Sequence, residues 1–394
     1  MKYTVFKNIS ALVCFILLLD FNSYAQQSTA EKPGSLVADS LQSVKVPKDN
    51  YWRRLIYGHI DRTFEKKLDL SFVVAPSYTR EASFGIGGMA TGLYRLDRTD
   101  SLMMPSNITL TFNASVKGFY ALAVEGNNNF KGNKSRLSYQ VAFANKNLDF
   151  WGITFDDCDE NPVISYQRQT VKIYGNYQYE LLRHFYAGAT LDFLYTSASK
   201  IDDITYLKDQ KDSYVTTGLG LSIQYDSRNF IPNPKRGMYI FLRQTIYPEI
   251  FGTVNKALWR TTFIADFYQP IWKGGIFALD LYGQVSSKNL PWALREELGA
   301  HNRMRGYYVG RYIDNNIVSA QMELRQHIVG RFGCAAWVGA GTVFPAFKEF
   351  DFKNVLPNYG LGLRVEVKKN VNARIDFGFG KETSGFVIGI SEAF

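Results

Sequence analysis

The feature that most constrains this chain is an alternation of apolar and polar side chains, repeated in segments of about 9 to 12 residues from residue 67 onward. A β-strand sends successive side chains to opposite faces, so a period of two marks a strand between two unlike surroundings. In residues 371–380, Val371, Ala373, Ile375, Phe377 and Phe379 share one face, and Asn372, Arg374, Asp376, Gly378 and Gly380 the other. Residues 215–226 repeat the pattern, with Val215, Leu219, Leu221, Ile223 and Tyr225 opposed to Thr216, Gly218, Gly220, Ser222, Gln224 and Asp226. Residues 318–327 set Val318, Ala320, Met322 and Leu324 against Ser319, Gln321, Glu323, Arg325 and His327. A soluble sandwich also alternates. Three details favour a membrane barrel. The segments have the length, roughly 9 to 11 residues, that a tilted strand needs to cross a bilayer. Their polar faces carry glycine, charges and amides, which suit a wet lumen, and their apolar faces carry aromatics near the ends, as interfacial girdles do. The 29 Phe and 25 Tyr of the chain fit such girdles.

About sixteen such segments start near Lys67, Phe84, Asn107, Lys117, Ser135, Pro162, His184, Ser213, Gly237, Lys256, Gly275, Asp314, Phe332, Tyr359, Val371 and Gly385. The expected fold class is therefore all-β, a transmembrane antiparallel β-barrel of about 16 strands over residues 65–394. An even count brings both ends of the barrel to the same side. Connections 145–161, 199–212, 287–313 and 345–358 then face outward, and tight turns at 182–183, 330–331 and 368–370 face the periplasm. Segment 226–236 is the one longer periplasmic turn in this reading. Cys158 and Cys334 fall on opposite sides of the membrane, too far apart for a disulfide.

Residues 1–25 read as a secretory signal peptide, with Lys2 and Lys7, an apolar centre from Ile9 to Leu19, and Ser23-Tyr24-Ala25 before the cleavage point. That apolar run of about 11 residues is far short of the roughly 20 a spanning helix needs. Residues 26–64 read as a periplasmic linker. Its end, with Trp52, Leu55, Ile56 and Ile60 among arginines, fits either a short amphipathic helix or a lead-in that caps the barrel. The expected location is the outer membrane of a diderm bacterium.

Several function classes find no support. The net charge of +9 lies in short pairs such as Arg53-Arg54 and Lys66-Lys67, without the dense basic stripe that nucleic acid requires. His59, His184, His301 and His327 lack zinc spacing, and the acidic run Asp156, Asp157, Asp159, Glu160 lacks the ligand rhythm of a calcium loop. There is no Gly-x-Ser-x-Gly elbow. Metal, cofactor and enzymatic activity are not expected.

Three segments carry the functional signal. Tyr225-Asp226-Ser227-Arg228-Asn229, continuing through Asn233-Pro234 to Arg236-Gly237, forms the long periplasmic turn. Arg303-Met304-Arg305-Gly306-Tyr307 lies in the longest outward loop, ahead of the strand Ser319-Ala320-Gln321-Met322-Glu323-Leu324-Arg325. Gly306 can take a positive φ and turn the chain sharply. An arginine drawn into the lumen needs a carboxylate partner. Glu323, on the polar face of the next strand, is the natural candidate.

In this order, the segments resemble the bacterial surface antigen family of outer-membrane assembly and translocation barrels (BamA/TamA-like). The resemblance is clearest over residues 214–394 and weak over 65–200. It implies that the loop folds down into the barrel and that Arg305 meets acidic groups on the inner wall. Where the family has a second acidic position, this chain reads Gly339-Ala340-Gly341, and the resemblance then leaves Asp376 or Glu366, on neighbouring inner faces, to compensate. Phe394 resembles the terminal aromatic signal by which outer-membrane proteins reach the assembly machinery; physically it would be an interfacial anchor. The implied function is to aid insertion or transport of proteins, or of lipids, at the outer membrane. Family members usually carry POTRA modules before the barrel, and residues 26–64 are too short for one. A periplasmic or POTRA-bearing partner is therefore expected, besides client outer-membrane proteins and outer-membrane lipid. The alternatives are a passive pore or structural barrel without insertase activity, and a relative of barrels fused to patatin-type lipases.

Overall fold

The computed structural model describes residues 66–79, 83–100, 103–299, 303–368 and 370–394; the expected signal peptide and linker lie outside them. Eleven strands come first: β1 (Asp69–Thr79), β2 (Ser83–Tyr94), β3 (Ser106–Ser115), β4 (Tyr120–Asn129), β5 (Ser135–Phe150), β6 (Ile164–Leu182), β7 (Phe185–Ser199), β8 (Ser213–Asp226), β9 (Gly237–Tyr247), β10 (Leu258–Trp272) and β11 (Gly275–Ser286). Two short strands follow, β12 (Glu296–Glu297) and β13 (Ile313–Asp314), which pair with each other. The wall resumes with β14 (Asn316–Val329), β15 (Phe332–Phe344), β16 (Leu356–Lys368), β17 (Val371–Gly380) and β18 (Thr383–Ile390). All but β12 and β13 form one 16-stranded antiparallel sheet in chain order, the wall of a β-barrel. Each of the sixteen expected segments is present, with starts displaced by no more than a few residues.

Alternation sorts the two faces as period two requires. Phe112, Phe143, Leu191, Leu221, Phe263, Met322, Leu361 and Phe377 point outward and are exposed, while Asn176, Gln224, Asp280, Glu323, Arg364 and Asp376 point inward and are buried. In water such an outer band would be unfavourable; against hydrocarbon it is the favourable surface. No helix among the described residues is long and apolar enough to cross a membrane.

The two ends of the barrel differ. One end carries the long connections 151–163, 200–212, 248–257, 287–315 and 345–355. The other has mostly tight turns, with two exceptions. Besides the expected 226–236, the connection 95–105 is as long; its polar residues carry no period, so the sequence reading passed over it.

At the long-loop end, apolar side chains form a packed cluster. Phe150, Ile153, Phe155, Leu207, Val254, Leu258, Leu290, Trp292, Leu298 and Tyr312 bury one another there. A short helix, α1 (Phe155–Glu160), contributes Phe155 and Cys158; Thr154 caps it by accepting from the Asp157 amide, 3.3 Å. Asp157 is also paired with Lys208, 2.7 Å. Burial opposes its charge, and that lysine with the Thr154 bond holds the carboxyl below its usual value. The acidic run thus caps and pins a loop, and among the described residues no His, Cys, Asp and Glu group is arranged to hold a metal. Cys158 and Cys334 are both free thiols, as their separation required.

Candidate functional site

The longest loop does not lie over the barrel; it enters it. β12 and β13 zip residues 296–297 to 313–314, and the Leu298 amide extends the ladder to the Tyr312 carbonyl, 2.8 Å. The hairpin is fixed to the wall by its own charges. Glu297 pairs with Arg168 of β6, and Glu296 lies 3.6 Å from Arg260 of β10. Burial lifts the Glu296 carboxyl above its ordinary value, against the pull of Arg260. Arg295 donates to the Ile153 carbonyl, 2.6 Å, tying the hairpin to the apolar cluster.

At the hairpin tip, Arg305 is fully buried and doubly paired. Its Nη2 donates to Glu323 Oε2 at 2.6 Å and its Nη1 to Asp376 Oδ2 at 2.7 Å. The guanidinium also lies 3.6 Å from the ring centre of Trp337, on β15. A planar fork that can meet two carboxylates and stack on a ring is what arginine offers and lysine does not. Both carboxylates are shared: Arg325 reaches Glu323 at 2.7 Å, while Arg364 and Arg374 reach Asp376 at 2.5 Å and 2.7 Å. Glu392 closes the network by accepting from Arg364 Nε, 2.7 Å. Charges buried at this density are tolerable only because each has opposite charges and hydrogen bonds around it.

Gly306 makes the approach possible. Its φ is +104°, and a Cβ there would stand 2.5 Å from the Gly378 carbonyl of β17. Gly378 in turn has no side chain to keep the Arg305 carbonyl away. Two glycines from distant parts of the sequence thus let loop backbone lie directly on strand backbone. Tyr307 completes the contact: its hydroxyl donates to the Pro357 carbonyl, 2.7 Å, and accepts from the Lys381 amide, 2.8 Å. Arg303 is seated separately, with Nε and Nη2 on the buried carboxylate of Asp280 in β11 at 2.6 to 3.1 Å. Burial works against the Arg303 charge, and Asp280 outweighs it to hold the group above its usual value.

The structure brings Arg305 together with Glu323 and with Asp376 on the inner wall. Glu366 does not join them. It shares the inner face of β16 but sits at the last turn, where it accepts from the Asn370 amide, 2.7 Å, so distance along the strand removes it from the hairpin. Arg325, Arg364, Arg374 and Asp280 were not anticipated as partners. The signal existed: Glu323 with Arg325, and Arg374 with Asp376, are ions two residues apart on one face.

The other motif builds the turn at the opposite end. Asp226 accepts from Arg228 Nε and Nη2 at 2.9 and 3.0 Å, and lies 3.4 Å from Arg136 of β5. Asn229 Oδ1 accepts from the amides of Lys235 and Arg236, 2.9 and 3.1 Å, rounding the turn. Gly237 has φ +112° and packs on the Ser227 carbonyl. Asn233 and Pro234 are buried under the wall, and the Pro234 carbonyl accepts from Arg325, 3.4 Å. The turn and the arginine hairpin therefore meet through Arg325.

Phe394 departs from the expected interfacial anchor. β18 ends at Ile390, Ser391 takes φ +73°, and the last residues turn into the lumen. The Phe394 ring lies 6.3 Å from that of Tyr268, a fully buried inner residue of β10. The left-handed residue ends the alternation, so Phe394 does not continue the outward face of β18.

The sequence matches the Omp85 superfamily domain over residues 109–394. The fold is similar to that of BamA from Haemophilus ducreyi lacking POTRA domains 1-3, at 12% identity and a TM-score of 0.53, covering 82% of this chain and 70% of that one. It is similar to CdiB from Acinetobacter baumannii at 11% identity and a TM-score of 0.51, covering 83% of this chain and 66% of that one. CdiB from Escherichia coli matches at 11% identity with a TM-score of 0.54, covering 83% of this chain and 62% of that one. The chain thus spans less than two thirds of either CdiB chain. At such identities the likeness is one of fold. No curated protein matches the chain.

Proposed function

The chain belongs to the Omp85 superfamily, and from that premise we propose that it aids the insertion or transport of proteins, or of lipids, at the outer membrane. A periplasmic or POTRA-bearing partner delivers the clients, and the barrel receives them from its short-turn end. The observation that carries this reading is the arginine hairpin: Arg305, fully buried, spans from its own loop to Glu323 and Asp376. A barrel that only needed to stand in the membrane could fill its lumen with apolar or neutral side chains at lower desolvation cost. A buried ionic latch holding a loop inside the lumen supports a barrel with more than one state. The passive-pore reading has less support, because buried apolar side chains pack together at the long-loop end.

The test is depletion of the protein in its own host, followed by proteomics and lipid analysis of the outer membrane. A defined set of outer-membrane proteins, or one lipid class, should fall, and Arg305→Ala should fail to restore it although the variant is present and folded. An unchanged outer membrane combined with altered uptake of small solutes would sink the assembly reading in favour of a pore.

A further inference from the structure

The short-turn end holds a cavity of about 80 Å³, between the 226–236 turn and the inner faces of β14 and β16. One ordered water needs roughly 10–15 Å³ of such space, so there is room for several waters or for one tetrahedral oxyanion.

The walls of this cavity carry more positive than negative charge. Lys235 of the turn, Arg325 of β14, Arg331 of the β14–β15 turn and Arg364 of β16 border it, against the carboxylates of Glu366 and Glu392. The network beneath does not remove the excess. Arg305 and Arg374 raise the cationic side chains to six, while Glu323 and Asp376 raise the carboxylates to four. A terminal carboxylate on Phe394, whose carbonyl accepts from Arg325 at 2.9 Å, would still leave cations in excess. The carboxylates at the rim are also spoken for. Glu392 accepts from Arg364 at 2.7 Å and from the Asn372 side chain at 2.6 Å. Lys235 donates to a neutral acceptor, the Asn370 side-chain oxygen, at 3.3 Å.

A second observation is a donor without an acceptor. Asn233 is 7% exposed and lines the cavity, yet its side-chain amide makes no hydrogen bond among the described residues. A buried amide is costly to leave unbonded. Its position is fixed from both sides: the Pro232 carbonyl accepts from the Glu392 amide, 3.0 Å, and the Pro234 carbonyl from Arg325, 3.4 Å.

We propose that this cavity binds a phosphate group, as the free ion or as a phosphomonoester. Asn233, Lys235 and Arg331 are its donors, and Arg325 and Arg364 supply the positive field behind them. A single arginine fork is enough to meet a planar carboxylate. Here the donors converge from two separate turns, which suits an oxyanion with acceptors on all sides. Bound phosphate ties the 226–236 turn to the β14–β15 turn. The site does not depend on the assembly reading, since a passive barrel with these residues would bind the ion equally.

The experiment uses the full chain in phosphatidylcholine nanodiscs at about 0.15 M chloride, where attraction between exposed charges is largely screened. Calorimetry with inorganic phosphate should show one saturable site. Asn233→Ala removes an amide that bonds to nothing, so it should fold unchanged and bind phosphate at least fivefold more weakly. The double variant Lys235→Gln, Arg331→Gln should bind at least tenfold more weakly; if it fails to fold, Lys235→Gln alone should still weaken binding at least threefold. Native mass spectrometry of the chain extracted from its host membrane separates the sources. A phosphomonoester lipid retained by the unaltered chain and lost from Asn233→Ala assigns the headgroup; phosphate binding without such a lipid assigns the free ion. Neither phosphate binding nor a retained lipid, equal binding by all variants, or acetate binding as tight as phosphate overturns the proposal.

Discussion

Along β3–β8 the buried polar groups of the inner wall are mostly hydroxyls and amides, among them Thr109, Asn176, Gln178, Thr190, Thr216, Ser222 and Gln224. Along β10–β18 they include ions: Asp266, Asp280, Glu323, Arg325, Arg364, Arg374 and Asp376. The neutral wall bonds to itself, as where Ser222 of β8 reaches across β7 to Asn176 and Gln178 of β6, at 2.9 Å and 3.3 Å. The ionic wall bonds to what has been put inside the barrel, the hairpin tip and the last residues; the neutral wall adds Arg168 of β6, which holds Glu297 at the hairpin base. Neutral groups lose little when a partner moves away and water replaces it; a buried ion loses several kcal/mol. The two walls therefore divide the labour, one as lining and the other as latch.

The sharpest way to break this comparison is Arg305→Ala. It leaves Glu323 and Asp376 short of a shared partner in a dry network, and should cost about 3–5 kcal/mol. The denaturant midpoint of the folded gel band measures this, and a cost below about 1 kcal/mol, that of an ordinary neutral hydrogen bond, would erase the distinction between the walls. Gly306→Ala keeps every charge but forces a Cβ against the Gly378 carbonyl at a positive φ. It should cost about 1–3 kcal/mol. It should also make the hairpin accessible to protease from the long-loop side, which limited proteolysis of intact cells would reveal. Ser222→Ala, on the neutral wall, should cost about 1 kcal/mol and leave protease sensitivity unchanged. The smallest effect belongs to the apolar cluster. Burial pushes the Cys158 thiol up to about 12, so at pH 8 it is neutral and shielded. Alkylation by iodoacetamide should be much slower than in the urea-unfolded chain at both pH 7 and pH 9, because the thiolate stays a minor species in the folded chain over that range.

The difference between the walls also explains what was legible in the sequence. Strands were readable because lipid and lumen impose opposite demands on alternate residues, and that demand holds for β1 as for β17. Glu323 and Asp376 were readable because an ion on a strand face otherwise occupied by small and polar residues stands out. The bonds between ions were harder. Asp280 and Arg303 are 23 positions apart and meet only because the loop folds inward. Glu366 misled because alternation gives the face of a residue but not its depth along the barrel. The inward turn after Ile390 left no mark at all, since Ser391 takes its positive φ without the glycine that would announce it.

The hairpin has one more consequence, for the order in which the barrel can be built. Arg305 finds Glu323 only 18 positions on, but Asp376 is 71 positions on, and the Tyr308 hydroxyl accepts from the Asp149 amide, 159 positions back. Contacts of such separation form slowly, because the chain between them must be confined before anything is gained. A wall assembled only as far as β15 would present Arg305 with a single carboxylate and half its neutralisation. The last strands are thus joined to the barrel by more than their ladders: their arrival completes a charge balance that the earlier strands leave open, so closure is favoured as one step rather than strand by strand.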